Sequence, residues 1–328
     1  MSLSAASRLG IRRGRAATRS ARLVVLGDLV LDVVAHGDGP VAHASDVSGT
    51  IRFRPGGSAA NTARAFARLG GRATFIGAVG RDEWARRLAL AVRAEGVTVH
   101  TVAVALPTAR LVALVRPDGE RSFVVERGAA DALQASDVDE SWFRSCHAFH
   151  LPGYSLFTEP LAHAAARAAA IAHERGAWIS IDLSSRAPLL AMGRRRAWRI
   201  LEDLRPTIVF GNAGEVAALT GERQEERLLR VVPIMVVKEG AAGCRVLARV
   251  GDGADILRLT VATTTLQARD TTGAGDAFDA GFLYSLLAVP KGQGKRPLDA
   301  GSLRRAAVAG HRAAAALLHS PRAELPGR

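Results

Sequence analysis

Asp270-Thr271-Thr272-Gly273-Ala274-Gly275-Asp276-Ala277-Phe278 is the stretch on which the reading of this chain turns. A Gly-Ala-Gly turn opening an apolar helix, predicted over residues 274–287, lets backbone N–H groups approach an anion closely. The helix dipole adds positive potential at the same place. Asp276 falls in the first helical turn, where a carboxylate is also a good cap. A capped turn without a ligand accounts for the Gly-Ala-Gly-Asp portion equally well. Two acids, two threonines and two glycines in one loop shift the balance toward a phosphate site.

Working outward, a second glycine pair stands in Arg54-Pro55-Gly56-Gly57-Ser58-Ala59-Ala60-Asn61 and opens a predicted helix over 59–69, stopped by Gly70-Gly71. Asn61 lies one turn into it, with its amide available to something polar. Close backbone packing plus a capping asparagine is the competing explanation. Residues 23–35, LVVLGDLVLDVVA, read as one buried strand broken by Gly27-Asp28 and by Asp32. Charge in a buried strand is costly unless partnered, so at least one of these acids faces a site at the strand end. Asp28 serves equally well as a turn or cap residue. Asn212-Ala213-Gly214-Glu215 follows a predicted strand over 208–211, at the carboxyl end of the sheet where open α/β folds take ligands.

Strands and helices alternate through most of the chain, which predicts a parallel sheet with helices on both faces. Two β-rich interruptions, 41–54 and 97–126, predict a small sheet over one end of the larger one. The first reads as a strand pair, and Pro117-Asp118-Gly119-Glu120 reads as a tight turn within the second. No repeat and no linker divides the body.

Net charge is +13, yet residues 1–22 and 290–328 supply +6 each, so the body between them is nearly neutral. With only 5% aromatic residues, a nucleic-acid face is not expected. No apolar run approaches a membrane span, and no membrane partner is expected. Two cysteines, Cys146 and Cys244, form no metal cluster or disulfide framework and suit a reducing compartment. The Arg- and Ser-rich, acid-free start has the composition of an organelle transit peptide, set against a cytoplasmic protein with a disordered tail. The nucleotide loop G-x-x-x-x-G-K-[ST], the dinucleotide G-x-G-x-x-G, H-E-x-x-H and G-x-S-x-G are all absent. His147 and His150 read as ordinary strand residues.

Taken together, the two glycine motifs resemble those of the ribokinase-like (PfkB-type) carbohydrate kinases. Gly56-Gly57 with Asn61, Ala63 and Leu69-Gly70 matches one signature, and Asp270 to Asp276 matches the other, in the right order and separation. The resemblance implies a three-layer α/β/α fold with a mostly parallel central sheet and a small β lid. It divides the chain into a basic tail (1–21), a kinase domain (22–320, lid segments about 36–55 and 97–127) and a short tail (321–328).

It further implies phosphotransfer from ATP, with Mg2+, to a hydroxyl of a small sugar or sugar acid. Asp276 is then the base, and the amides of Gly273, Ala274 and Gly275 form the anion hole. Asp32, Gly56, Gly57 and Asn61 hold sugar hydroxyls. Asn212 and Glu215 match N-x-x-E, with Glu215 acting on magnesium through water. Lys238, Gly240 and Gly243 flank the nucleotide, as does His311, where relatives often place an asparagine. Asp270 and Thr272 start a monovalent-cation loop that in relatives usually favours potassium. Residues 182–189, DLSSRAPL, resemble a D-x-N-x-R-x-x-L segment that sets Arg186 near an anionic end of the substrate, although Ser184 replaces the asparagine. Arg186 as a surface residue is the alternative. Many relatives dimerise through the lid. An adenosine-type nucleoside kinase shares both signatures, and a non-catalytic sugar-binding regulator shares the fold.

Overall fold

The polar step at Gly27-Asp28 splits the 23–35 run into two strands that lie in different sheets. The computed structural model describes residues 21–39, 43–116, 120–222, 224–250, 255–264, 270–288 and 298–326. The basic start through residue 20, part of the 41–54 stretch, the 117–119 turn and residues 327–328 lie outside them.

The elements in order are β1 (Arg22–Leu26), β2 (Val30–Gly37), β3 (Gly49–Gly56), α1 (Ser58–Arg68), β4 (Arg72–Val79), α2 (Glu83–Ala94), β5 (Thr98–Ala103), β6 (Arg110–Val115) and β7 (Arg121–Glu126). Then come β8 (Ala148–Pro152), α3 (Leu161–Glu174), β9 (Trp178–Asp182), α4 (Arg186–Met192), α5 (Arg194–Leu204), β10 (Ile208–Asn212) and α6 (Ala213–Thr220). The chain closes with β11 (Ile234–Lys238), β12 (Cys244–Val250), β13 (Asp255–Val261), α7 (Ala274–Leu287) and α8 (Ala300–His319).

Among the described residues, nine strands form the central sheet in the order β13-β12-β11-β10-β9-β8-β1-β4-β5, parallel except where β12 pairs with its two neighbours. Side chains alternate across a strand, and β1 shows the consequence. Leu23 and Val25 enter one apolar cluster with α1, α2, α7 and α8, while Val24 and Leu26 enter another with α3, α4, α5 and α6. This is the three-layer α/β/α arrangement.

The second sheet, β3-β2-β6-β7, has four strands. The lid boundaries need correction here. Thr98–Ala103 pairs in parallel with β4 as the edge strand of the large sheet, because Val97 and Val99 are buried in its core. The small sheet instead recruits all of β2, including Asp32. Only one strand, β3, forms within the described part of the 41–54 stretch. The 321–326 segment is no loose tail either. Leu325 is buried, and its N–H donates to the Phe53 carbonyl of β3 at 2.7 Å.

Candidate active site

The carboxyl ends of β9, β10 and β11 and the N-termini of α1, α6 and α7 surround one region. α7 begins after Gly273, whose φ of 77° lies in the left-handed region that glycine enters without strain. The Ala274 N–H donates back to the Thr271 carbonyl at 3.1 Å, the next N–H groups of α7 have no partner within the helix, and Asp276 falls in its first turn. Ser58 Oγ donates to Asp276 Oδ1 at 2.6 Å, and Asn61 Nδ2 donates to Oδ2 at 3.1 Å. Burial raises the Asp276 pKa to about 7. The Asp182 charge adds to the rise, while the Ser58 and Asn61 hydrogen bonds pull against it.

Asp28 and Asp32 take different roles. Asp28 accepts from the Ala59 N–H at 3.1 Å, and so satisfies a donor at the start of α1, and it pairs with Arg127 at 3.1 Å. Asp32 lines a cavity of about 1090 Å³ between the small sheet, α1 and the segment after α8. Its pKa is raised to about 7, first by burial and then by the Asp28 charge. Asn61, Tyr154, Gly273 and Ala277 also face this cavity. A Cβ on Gly56 would fall 2.2 Å from an Asp32 carboxylate oxygen, and one on Gly57 would fall 2.4 Å from the Asp28 carbonyl. Both positions therefore need glycine, and both support the acids rather than the cavity wall.

Asn212 caps α6 by accepting from the Glu215 N–H at 2.9 Å. Glu215 reciprocates, accepting from Asn212 N at 2.8 Å and Nδ2 at 2.7 Å. Burial, reinforced by the Asp182 charge, raises the Glu215 pKa. Asn212 lies in register beside Lys238 on the neighbouring strand. Lys238 Nζ donates to Asp182 at 2.7 Å and to Asp279 at 3.2 Å, and a Cβ on Gly275 would lie 3.3 Å from it. Asp279 is fully buried, and burial raises its pKa well above the usual range. The neighbouring Asp182 is brought down to about 2 by the Lys238 charge, against the opposing effect of burial. Asp279 escaped the sequence reading because it sits in an apolar helix three residues past the motif. An acid flanked by Phe278 and Ala280 is itself the signal that was available.

Gly243 and His311 meet at Val261. The His311 Nε2 lies 3.2 Å from the Val261 carbonyl, and a Cβ on Gly243 would fall 2.2 Å from that same oxygen. Gly240 lies in an exposed turn just before Gly243. Arg186 does not join Asp32 and Asn61 at the cavity. It is exposed at the start of α4, outside the cavity, and its Cδ lies 3.9 Å from where a Gly214 Cβ would be. Asp270 and Thr272 line the cavity but are engaged by arginines from the small sheet, Arg54 and Arg121.

Comparisons with known proteins agree with the fold and identify the family. A family model described as pfkB family carbohydrate kinase matches residues 20–326. Probable fructokinase-4 of Arabidopsis thaliana is 33% identical over 279 residues, covering 81% of this chain and 82% of that protein. The structure of adenosine kinase from Sinorhizobium meliloti superposes with a TM-score of 0.75 at 26% identity, covering 93% of this chain and 96% of the other. Fructokinase from Vibrio cholerae O395, solved in a form with fructose, ADP and calcium ion bound, superposes with a TM-score of 0.71 at 25% identity. That match covers 92% of this chain and 94% of the other. With the fold, the two glycine motifs and nearly the whole chain in agreement, this protein belongs to the pfkB family of carbohydrate kinases and phosphorylates sugars at the expense of ATP.

Proposed function

We propose that the sugar is a free hexose of the fructose type and that Asp276 is the base. The observation that carries the assignment is the placement of Asp276 in the first turn of α7, one residue past the half-buried Gly273-Ala274-Gly275 turn, with its carboxylate held by Ser58 and Asn61. The names of the relatives support fructose as the acceptor.

The sugar lies in the cavity, its hydroxyls meeting Asp32 and Asn61. Its reacting hydroxyl gives its proton to Asp276, and the oxygen forms a bond to the γ-phosphorus of ATP. The bond from that phosphorus to the β-bridging oxygen breaks, releasing ADP. The N–H groups of Gly273, Ala274 and Gly275 stabilise the charge on the transferring group, which is where such transfer needs help most. A neutral Asp32 donates a hydrogen bond to a sugar oxygen, and an ionised one accepts. The ATP phosphates reach toward Lys238 and Asn212, with the base and ribose near Gly240, Gly243 and His311.

The Glu215 carboxylate has two N–H donors from Asn212 and about four acceptor positions in all, so it retains capacity for a magnesium-bound water. It thus fits a water-mediated hold on the ion. Magnesium, when bound, neutralises phosphate charge.

The small sheet leaves Ile51, Phe123, Val124 and Val125 more than half exposed, which supports a homodimer closed through the lid. The two buried free thiols, Cys146 and Cys244, support a cytoplasmic location. A nucleoside acceptor is the second reading, favoured by the similarity to adenosine kinase at 26% identity. ADP release measured with fructose, ribose, ketodeoxygluconate and adenosine, against Asp276→Asn as the blank, tests both. Adenosine as the sole acceptor overturns the hexose, and undiminished turnover in the variant overturns the base.

A further inference from the structure

The resemblance makes Asp270 and Thr272 the opening of a monovalent-cation loop, and the donors found there do not fit such an ion. Asp270 Oδ1 accepts from Arg121 Nη1 at 3.0 Å and from Thr272 N at 3.0 Å. Oδ2 accepts from Arg54 Nη1 at 3.1 Å, with Arg322 Nε at 3.8 Å. The Asp270 backbone carbonyl accepts from Arg322 Nη2 at 2.8 Å, and Thr272 Oγ1 accepts from Arg121 Nη1 at 3.1 Å. All three oxygens of Asp270 are therefore engaged by guanidinium groups.

These arginines converge from β3, from β7 and from the segment after α8, and their side chains are only 17%, 18% and 19% exposed. Guanidinium does not deprotonate in proteins, so all three charges are permanent. One carboxylate already faces three fixed cations, and a fourth cation would meet repulsion without a free carboxylate oxygen to offset it. Burial and the neighbouring Arg54 and Arg121 lower the Arg322 pKa from its ordinary value, which registers the same crowding. Asp270 falls to about 2. Burial opposes that fall, but the Thr272 N–H and hydroxyl and the charges of Arg322 and Arg121 prevail.

We infer that Arg322, with Arg54 and Arg121, holds the Asp270–Gly273 loop in place of a monovalent cation, so that this kinase works without potassium. The loop runs directly into the amides at the start of α7, so its position sets theirs. Arg322 is a positioning residue, acting on the transferring phosphoryl group through that loop. Arg54 and Arg121 belong to the small sheet, which ties the loop to the lid as well. The inference deepens the kinase reading and rests on it.

The test compares the full chain in potassium chloride and in tetramethylammonium chloride at equal ionic strength. Melting temperatures should agree to within about 1 °C, because an ion that does not bind the native state adds no stability. ADP release should agree to within about two-fold, since no catalytic part awaits the ion. A potassium-specific rise in melting temperature of about 5 °C, or stimulation of about ten-fold, overturns the proposal. In Arg322→Gln, kcat should fall by about ten-fold or more while the sugar KM moves by less than about three-fold, the pattern of a misplaced anion hole. A kcat within about two-fold of wild type overturns the positioning role. The melting comparison needs no turnover, so a chain that phosphorylates no sugar counts against the kinase reading and leaves this inference to the melting result.

Discussion

Asn61 Nδ2 donates to Asp276 Oδ2 across 3.1 Å, joining the first turn of α1 to the first turn of α7 over a sequence separation of 215 residues. With Ser58 Oγ on the other oxygen, one helix orients the carboxylate that another helix presents. Each glycine motif thus supplies half of one device. Asp276→Asn should lower kcat by about 10²- to 10⁴-fold, the usual contribution of a positioned base. The melting temperature should hold or rise, because a neutral amide carries no cost of charge burial. ADP release and thermal melting on the same sample check both.

The pH profile follows from the Asp276 pKa of about 7, raised chiefly by burial. The base works only when ionised, so kcat/KM should fall on the acid side with an apparent pKa near 7. Ser58 and Asn61 stabilise the ionised form, and removing either donor raises the pKa. Ser58→Ala should therefore move the acid limb to higher pH. A limb that stays in place, or moves toward acid, contradicts the assignment of Asp276 as the titrating base.

Lys238 bridges Asp182 and Asp279 inside the protein, with side-chain exposures of 16%, 7% and 0% respectively. Lys238→Met leaves the Asp182 charge buried without its partner, and such changes cost about 3–5 kcal/mol. Urea unfolding should show that loss at neutral pH. A change below about 1 kcal/mol would mean that water reaches the pair and screens it.

Burial pushes the Asp32 carboxyl up to about 7 in the folded state, above the ordinary aspartate value of 3.8. The folded state binds this proton more tightly than the unfolded state, so stability falls as pH rises from about 4 to about 7. Asp32→Asn should match wild type near pH 4 and melt higher at pH 8, while weakening sugar binding. Melting curves at the two pH values, with sugar KM from ADP release, decide it. Equal melting at pH 8 would show that Asp32 is not buried as a charge.

Much of the site was legible because its signals are local. The turn before α7, the Gly56-Gly57 approach and the Asn212–Glu215 capping box each lie within a few residues, and short-range hydrogen bonding constrains them. The alternating strands and helices were legible for the same reason, through apolar periodicity. The division of the 23–35 run was harder, since both halves are apolar and only pairing tells which sheet each joins. Thr98–Ala103 misled similarly: a short β-rich segment carries no mark of the sheet whose edge it extends.

The amino-acid sequence by itself determined the three-layer α/β plan, the two glycine-led helix starts and the placement of Asp276 in the first turn of α7, because each depends on residue type and spacing within one or two turns. Only the tertiary structure decided that Asp28 caps α1 while Asp32 faces the cavity, that Asp279 joins Lys238 and Asp182, and that Arg186 stands outside the cavity. It also decided that Arg54, Arg121 and Arg322 meet on Asp270. These are contacts between segments far apart in the chain. Their partners are chosen by how the sheets and helices close around buried charge, and no local pattern encodes that choice.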